Sequence, residues 1–165
     1  MKLHDPRQRQ RRHLDRSLQD PIKDPYQRKR KLAGPVVCPD CGAVFQRGRW
    51  RWGARPAQAE AYRCPACQRV REGVPAGYVR LAGEFFERHR GEILQLVRNE
   101  EAREKRDHPL QRIMRLREQA AGVEVTTTDV HLARRIGESL RGAFQGELDV
   151  KYSRGEHLVR VRWSR

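Results

Sequence analysis

The residues of this chain best equipped for chemistry are its four cysteines, written as two pairs, Cys38-Pro-Asp-Cys41 and Cys64-Pro-Ala-Cys67. A Cys-x-x-Cys segment places two thiolates on one tight turn, and two such turns can close a tetrahedron around Zn2+. Pro39 and Pro65 stiffen the two turns, and Gly42 relieves the backbone after the first. Disulfides would require an oxidising compartment, which nothing in the sequence indicates. A redox Cys-x-x-Cys would require a βαβ context, and neither pair has one. The spacing therefore predicts a single Zn2+ held by Cys38, Cys41, Cys64 and Cys67. Four thiolates leave no open position for substrate or water, so the ion is structural.

Between the pairs runs Arg47-Gly-Arg-Trp-Arg-Trp-Gly53. In a strand, Arg47, Arg49 and Arg51 fall on one face while Trp50 and Trp52 fall on the other. The tryptophans are expected in the core of the small metal-bound unit. The arginines, with Arg55 just beyond, are expected to contact a polyanion, because no acid lies within the strand to pair them. Zinc would fix the geometry of this ladder.

The charge distribution points the same way. The chain carries a net +15 over 165 residues, and most of that excess sits at the front. Residues 1–34 hold 11 Lys/Arg against four Asp, and residues 35–83 hold eight against three, whereas the rest is nearly balanced. Such a balance implies nucleic acid or an anionic membrane surface as partner. Residues 1–34 contain few apolar side chains and three Asp-Pro steps, so they are expected to be a disordered basic tail. Within it, Arg28, Lys29, Arg30 and Lys31 follow Tyr26 in a segment suited to ordering on a partner or to staying solvated. No apolar run approaches the ~20 residues that span a bilayer, and the first residues lack a secretory apolar core. A cytoplasmic protein with no membrane partner is expected.

A catalytic constellation is not evident. The six histidines are scattered, and no metalloprotease, nucleophile-elbow or phosphate-loop motif occurs. Asp129-x-His131 could be drawn into a nuclease, but an Asp capping a helix beside a surface His accounts for it more simply. The sequence reads as non-enzymatic.

The elements that would carry these residues follow from periodicity. Residues 35–83 read as short strands around the cysteine turns, with Tyr78–Leu81 a further strand. Apolar residues from Phe85 to Val97 recur at helical spacing, predicting a helix from Glu84 to about Arg106 with Gly91 a weak point. Pro109, Leu110, Ile113 and Met114 predict a second helix, so residues 84–122 read as a helical hairpin. Residues 123–165 read as a β-α-β-β unit: a strand at Val123–Thr128, and a helix with Ala133, Ile136, Leu140 and Phe144 on one stripe. A hairpin with a two-residue loop at Arg154-Gly155 follows. That loop opposes Leu148 to Val161, Val150 to Val159 and Tyr152 to His157, and it pairs Asp149 with Arg160 and Glu147 with Arg162. The fold class is thus α+β: a four-cysteine zinc ribbon, a helical hairpin and a small β-α-β-β unit behind a disordered tail.

Taken together, "CPDCG", "GRWRWG", "CPACQR", "HPLQRIMRLRE" and "TTTDVHLARRIGESLRGAFQGELDVKY" resemble a family of small bacterial zinc-ribbon proteins. The cysteine region is similar to the N-terminal part of the archaeal and eukaryotic large-ribosomal-subunit export adaptor. That adaptor has more Cys-x-x-Cys pairs, so the resemblance implies one metal site here, with the four cysteines as ligands. It also implies a metal-dependent contact with RNA, foremost rRNA on a ribosome or subunit. A DNA-binding, transcription-associated ribbon is the alternative, and the C-terminal half could offer a surface to a protein partner.

Overall fold

The computed structural model describes residues 23–27 and 32–165. Arg28, Lys29, Arg30 and Lys31, and the part of the expected tail before residue 23, lie outside the described residues.

Four very short strands make the first sheet: β1 (Val36–Val37), β2 (Val44–Gln46), β3 (Arg49–Arg51) and β4 (Glu60–Ala61), in the order β3-β2-β1-β4. The β2–β3 turn is the Arg47-Gly48 pair, both in the left-handed region at φ 53° and 82°. A glycine at the second position makes that two-residue turn accessible. Helix α1 (Pro65–Glu72) follows, with Cys64 as its N-cap and Pro65 in its first turn. Its C-terminus is closed by Gly73 at φ 68°, the left-handed conformation that glycine adopts without penalty. The apolar interior of this cysteine module is slight: Val37, Val44 and Ala59 in one cluster, and the cysteines with Ala66 in another.

The second sheet contains β5 (Gly77–Ala82), β6 (Ile113–Gln119), β7 (Gly122–Thr127), β8 (Glu147–Tyr152) and β9 (Val159–Ser164), ordered β6-β7-β5-β9-β8. Strand β5 is central, antiparallel to β7 and parallel to β9. Helices α2 (Glu84–Arg88), α3 (Arg90–Asp107) and α4 (Val130–Phe144) complete the body. Helix α4 packs on α3 and against β5 and β9, leaving the other sheet face open. Alternation along the strands sends Val79, Leu81, Val123, Val125, Val161 and Trp163 toward the helices, where Phe86, Ile93, Ile136 and Leu140 meet them. Helix and sheet approach closely at Gly137, where a Cβ would stand 2.6 Å from Val161 Cγ1.

The α+β class stands, with four helices and two sheets among the described residues. The helical hairpin does not. Only its first arm is helical, and that arm breaks at His89 rather than at Gly91. The segment expected as the second helix is strand β6. Its residues are good helix formers, but Arg115 to Gln119 pair with Thr126 to Gly122 of β7 across a tight turn. Pairing with β7 outweighs propensities of a few tenths of a kcal/mol per residue. Glu84 and Arg88 form an ion pair four residues apart on α2. Glu101 of α3 accepts the Ile113 backbone N–H at 2.7 Å, which helps hold the entry to β6.

In the C-terminal part, β7, α4, β8 and β9 follow in the expected order. Strands β7 and β9 are not neighbours, however, because β5 lies between them. The β8–β9 hairpin is slipped by two residues from the expected register. Leu148 faces Trp163, Val150 faces Val161 and Tyr152 faces Val159, while Asp149 faces Arg162. A two-residue slip keeps every side chain on its face, so the apolar pattern alone does not distinguish the two registers. The observed one buries Trp163 and lets its Nε1–H donate to Gln145 O at 2.8 Å.

Candidate metal centre

The first cysteine pair sits on the loop leaving β1. Cys38 N donates to Ala43 O at 2.8 Å and Gly42 N donates to Cys38 O at 2.9 Å, which folds the loop around both thiols. Gly42 has φ 78°, the freedom its place in the motif implied. The second pair uses a different device. Cys64 caps α1 and accepts from Cys67 N at 3.4 Å, while Cys67 lies in the first helical turn. A helix N-terminus favours negative charge, so it suits thiolates.

The four sulfurs all lie within 4.8 Å of one another, with Cys41 Sγ and Cys64 Sγ 3.8 Å apart. A tetrahedron with metal–sulfur bonds of about 2.3 Å has edges of roughly 3.8 Å. The cluster is therefore compatible with one metal ion. Cys38, Cys64 and Cys67 are buried and Cys41 is partly so. Burial drives the Cys64 and Cys67 thiols above their ordinary range. Burial acts the same way on Cys38, but N–H groups of Cys64, Asp40 and Cys41 outweigh it and lower that thiol to about 7.

Sequence reasoning missed one member of the site. Arg112, at the entry to β6, places Nη1 3.2 Å from Cys67 Sγ and Nη2 3.3 Å from both Cys41 Sγ and Cys64 Sγ. Burial opposes its charge, yet the hydrogen bond to Cys67 and the neighbouring cysteine charges hold its pKa above the usual arginine value. The guanidinium is fixed by Nε donating to Pro109 O at 2.7 Å, and the backbone N by Thr128 Oγ1 at 2.9 Å. Donors aimed at ligand sulfurs orient them and lower the charge density of a four-thiolate centre. The only trace of this in the sequence is a cation beside a proline turn, some 45 residues after the last cysteine. Nothing local marks it.

No protein-family model, curated protein or solved structure matches the chain.

The arginine–tryptophan ladder lies on the β2–β3 hairpin. Trp50 packs on the cysteine cluster, with its ring 5.5 Å from Phe45 and 6.5 Å from Tyr62. Trp52 departs from the expected core position: it is 37% exposed, and its Nε1–H donates to Lys105 O at 2.7 Å, tying the hairpin to α3. Arg47 and Arg49 are exposed. Arg51 donates to Gln46 Oε1 at 2.5 Å and Arg55 to Ala59 O at 3.4 Å. Among the described residues none of these four cations makes an ion pair. Arg47 is a turn residue rather than part of the strand, so the strand face itself holds Arg49 and Arg51.

Part of the expected tail is built into the fold. Asp24 Oδ1 pairs with buried Arg69 Nη2 at 2.6 Å, and the Tyr26 ring lies 4.2 Å from the Arg69 guanidinium carbon. The Tyr26 hydroxyl donates to Glu72 at 2.5 Å. Residues 23–27 are thus docked on α1.

Asp129 is occupied as the cap of α4, accepting from the N–H groups of His131 at 2.7 Å and Leu132 at 3.3 Å. Arg160 does not pair with Asp149 as expected; it donates to Ser153 Oγ at 3.2 Å, and Asp149 pairs with Lys151 at 3.1 Å. No helix among the described residues is long and apolar enough to cross a membrane.

Proposed function

We propose that the chain is a non-enzymatic RNA-binding protein whose Cys38, Cys41, Cys64 and Cys67 hold one structural Zn2+, and whose foremost target is rRNA on a ribosome or ribosomal subunit. A closed set of four sulfur donors suits Zn2+ and leaves no reactive position. The observation that carries the RNA reading is the β2–β3 hairpin with the loop after it: Arg47, Arg49, Arg51 and Arg55 have no carboxylate partner among the described residues, on a module that contains the cysteine centre. Arg47 and Arg49 at its tip are free to reach phosphates, with Arg51 and Arg55 behind them. The basic run at Arg28, Lys29, Arg30 and Lys31 would add further cations to the RNA contact. The module would serve as the anchor, and the sheet body as fold and as a surface for protein contacts.

The deciding experiment has two parts. Elemental analysis of protein purified under reducing conditions is expected to give one zinc per chain, and its absence would sink the metal assignment. Gradient fractionation of lysate without chelators is expected to place the protein with a ribosome or subunit, and less so at high salt. Migration only at the top of the gradient at low salt counts against the ribosomal target. A competition between single-stranded RNA and duplex DNA at matched salt then separates RNA from DNA as the partner.

A further inference from the structure

The open face of the second sheet has an order that the total charge conceals. Its register aligns Arg115, Thr126, Tyr78, Arg160 and Lys151 in one row across five strands. The next row is Arg117, Glu124, Arg80, Arg162 and Asp149. Glu147 of β8 lies at the far end, facing Ser164. The first row contains three cations, one aromatic ring and no acid. Lys151 is engaged by Asp149, but among the described residues Arg80, Arg115, Arg117, Arg160 and Arg162 make no ion pair, and all five are exposed. The Arg160 guanidinium carbon lies 5.7 Å from the centre of the Tyr78 ring.

Tyr78, at the middle of this row, also lines a cavity of about 540 Å³ beside the segments that lead into β5 and β9. Lys23, Tyr26, Arg69, Glu156 and His157 share the lining. Arg69 is 2% exposed; its Nη1 donates to Val74 O at 3.1 Å, Nη2 is held by Asp24, and Nε has no partner among the described residues. A cavity of this size lies within the roughly 300–1,000 Å³ of small-ligand sites. Tyr26 and Tyr78 offer rings to a flat base, and Lys23, with the unpartnered Nε of Arg69, offers donors to its polar edge or phosphate, Glu156 being the single acid in the lining. Alternating rings and cations on a solvated surface are how single strands are held, the rings stacking on bases and the cations tracking the backbone. A paired duplex cannot offer a base to such a cavity without opening.

We propose that the open face of this sheet is a second nucleic-acid surface that binds a single strand of RNA, one unstacked base entering the cavity beside Tyr78 while Arg115 and Arg160 meet the flanking phosphates. The choice of RNA as the polyanion rests on the function proposed above, but the surface is separate from the β2–β3 hairpin. The test measures binding of labelled oligouridylate and of an RNA duplex by the full-length, metal-replete chain, using fluorescence anisotropy at several salt concentrations. Tyr78→Leu should weaken oligouridylate binding by about tenfold, the loss of one stacked base. Tyr78→Phe keeps the ring and should bind as the wild type does, which separates stacking from damage to β5. The pair Arg115→Gln and Arg160→Gln should lower the log–log salt slope by about 1.4, roughly 0.7 for each lost phosphate contact.

Wild-type affinity in Tyr78→Leu, or a duplex bound as tightly as the single strand, overturns the proposal. Binding weakened only by Arg47→Gln with Arg49→Gln overturns it while leaving the hairpin reading intact. Binding weakened only by the sheet variants supports it and removes the hairpin from the RNA site. No oligouridylate binding by the wild type overturns both.

Discussion

The cysteine module and the five-stranded body solve the same problem with unequal means. The body buries Trp163, Phe86, Leu81, Ile93, Ile136 and Leu140 completely, so apolar burial is sufficient to define it. The module has four strands of two or three residues and buries little beyond valines, alanines and the cysteines themselves. Pieces that small rarely sustain a fold on apolar burial alone. We therefore expect order in the module to depend on the cysteine centre, and order in the body not to.

Removing the proposed metal, or replacing Cys64 with Ser, should break that contrast most sharply. Structural sites of this kind contribute on the order of 10 kcal/mol to the folded state. Amide exchange is expected to rise through residues 36–72 while β5 and α4 stay protected; equal loss in both regions would contradict the division. Next in size is Trp163→Ala in the body, at about 3–5 kcal/mol from the lost burial and the cavity left behind. Chemical denaturation should show it as a lower midpoint, with metal content unchanged. Arg112→Met strikes the seam between the two regions. Metal affinity is expected to fall about 10- to 100-fold, as for other donors that orient ligands, while the melting of the body shifts less. Competition with a chromophoric chelator would measure the affinity.

The smallest effect concerns the docked residues 23–27. The hydrogen bond from Tyr26, then that from Gln68, lowers the Glu72 pKa below its ordinary value. A carboxylate depressed in the folded state contributes stability above its unfolded pKa, and that contribution is lost as pH falls through the folded value. The Tyr26 contact should therefore be intact at neutral pH and loosen only in acid. A pH titration followed by NMR at Tyr26 would show this, and Glu72→Gln should remove the acid dependence.

How much of this was legible beforehand differs between the two regions for physical reasons. The cysteine pairs could be read because their chemistry is local: spacing within a turn decides whether sulfurs converge. Helix α4 could be read because its cap and its stripe lie within one short segment. Strand β6 could not, because its partner rather than its own composition settles its conformation. The register of β8 and β9 was legible only to within two residues, since period-two patterns repeat and the burial of Trp163 makes the choice. Trp52 was assigned to the core on its alternation with the arginines, but its indole N–H finds a carbonyl at the end of α3. Arg112 joins two elements distant in sequence, which no local pattern reports.

The central place of β5 has a consequence for how the chain is made. Synthesis runs from the first residue to the last, so β5 is completed well before β7, its first partner, and long before β9, its second. Val79 and Leu81 must wait for Val159 to Trp163 before the sheet closes on both sides. All four cysteines and α1 are made before that point, so the ion proposed above would be available to them while the body is unfinished. Arg112 is made later still and only then can join the cysteine cluster. Pairing of β5 with β9, about 80 residues apart in sequence, is the contact that local folding leaves to the end.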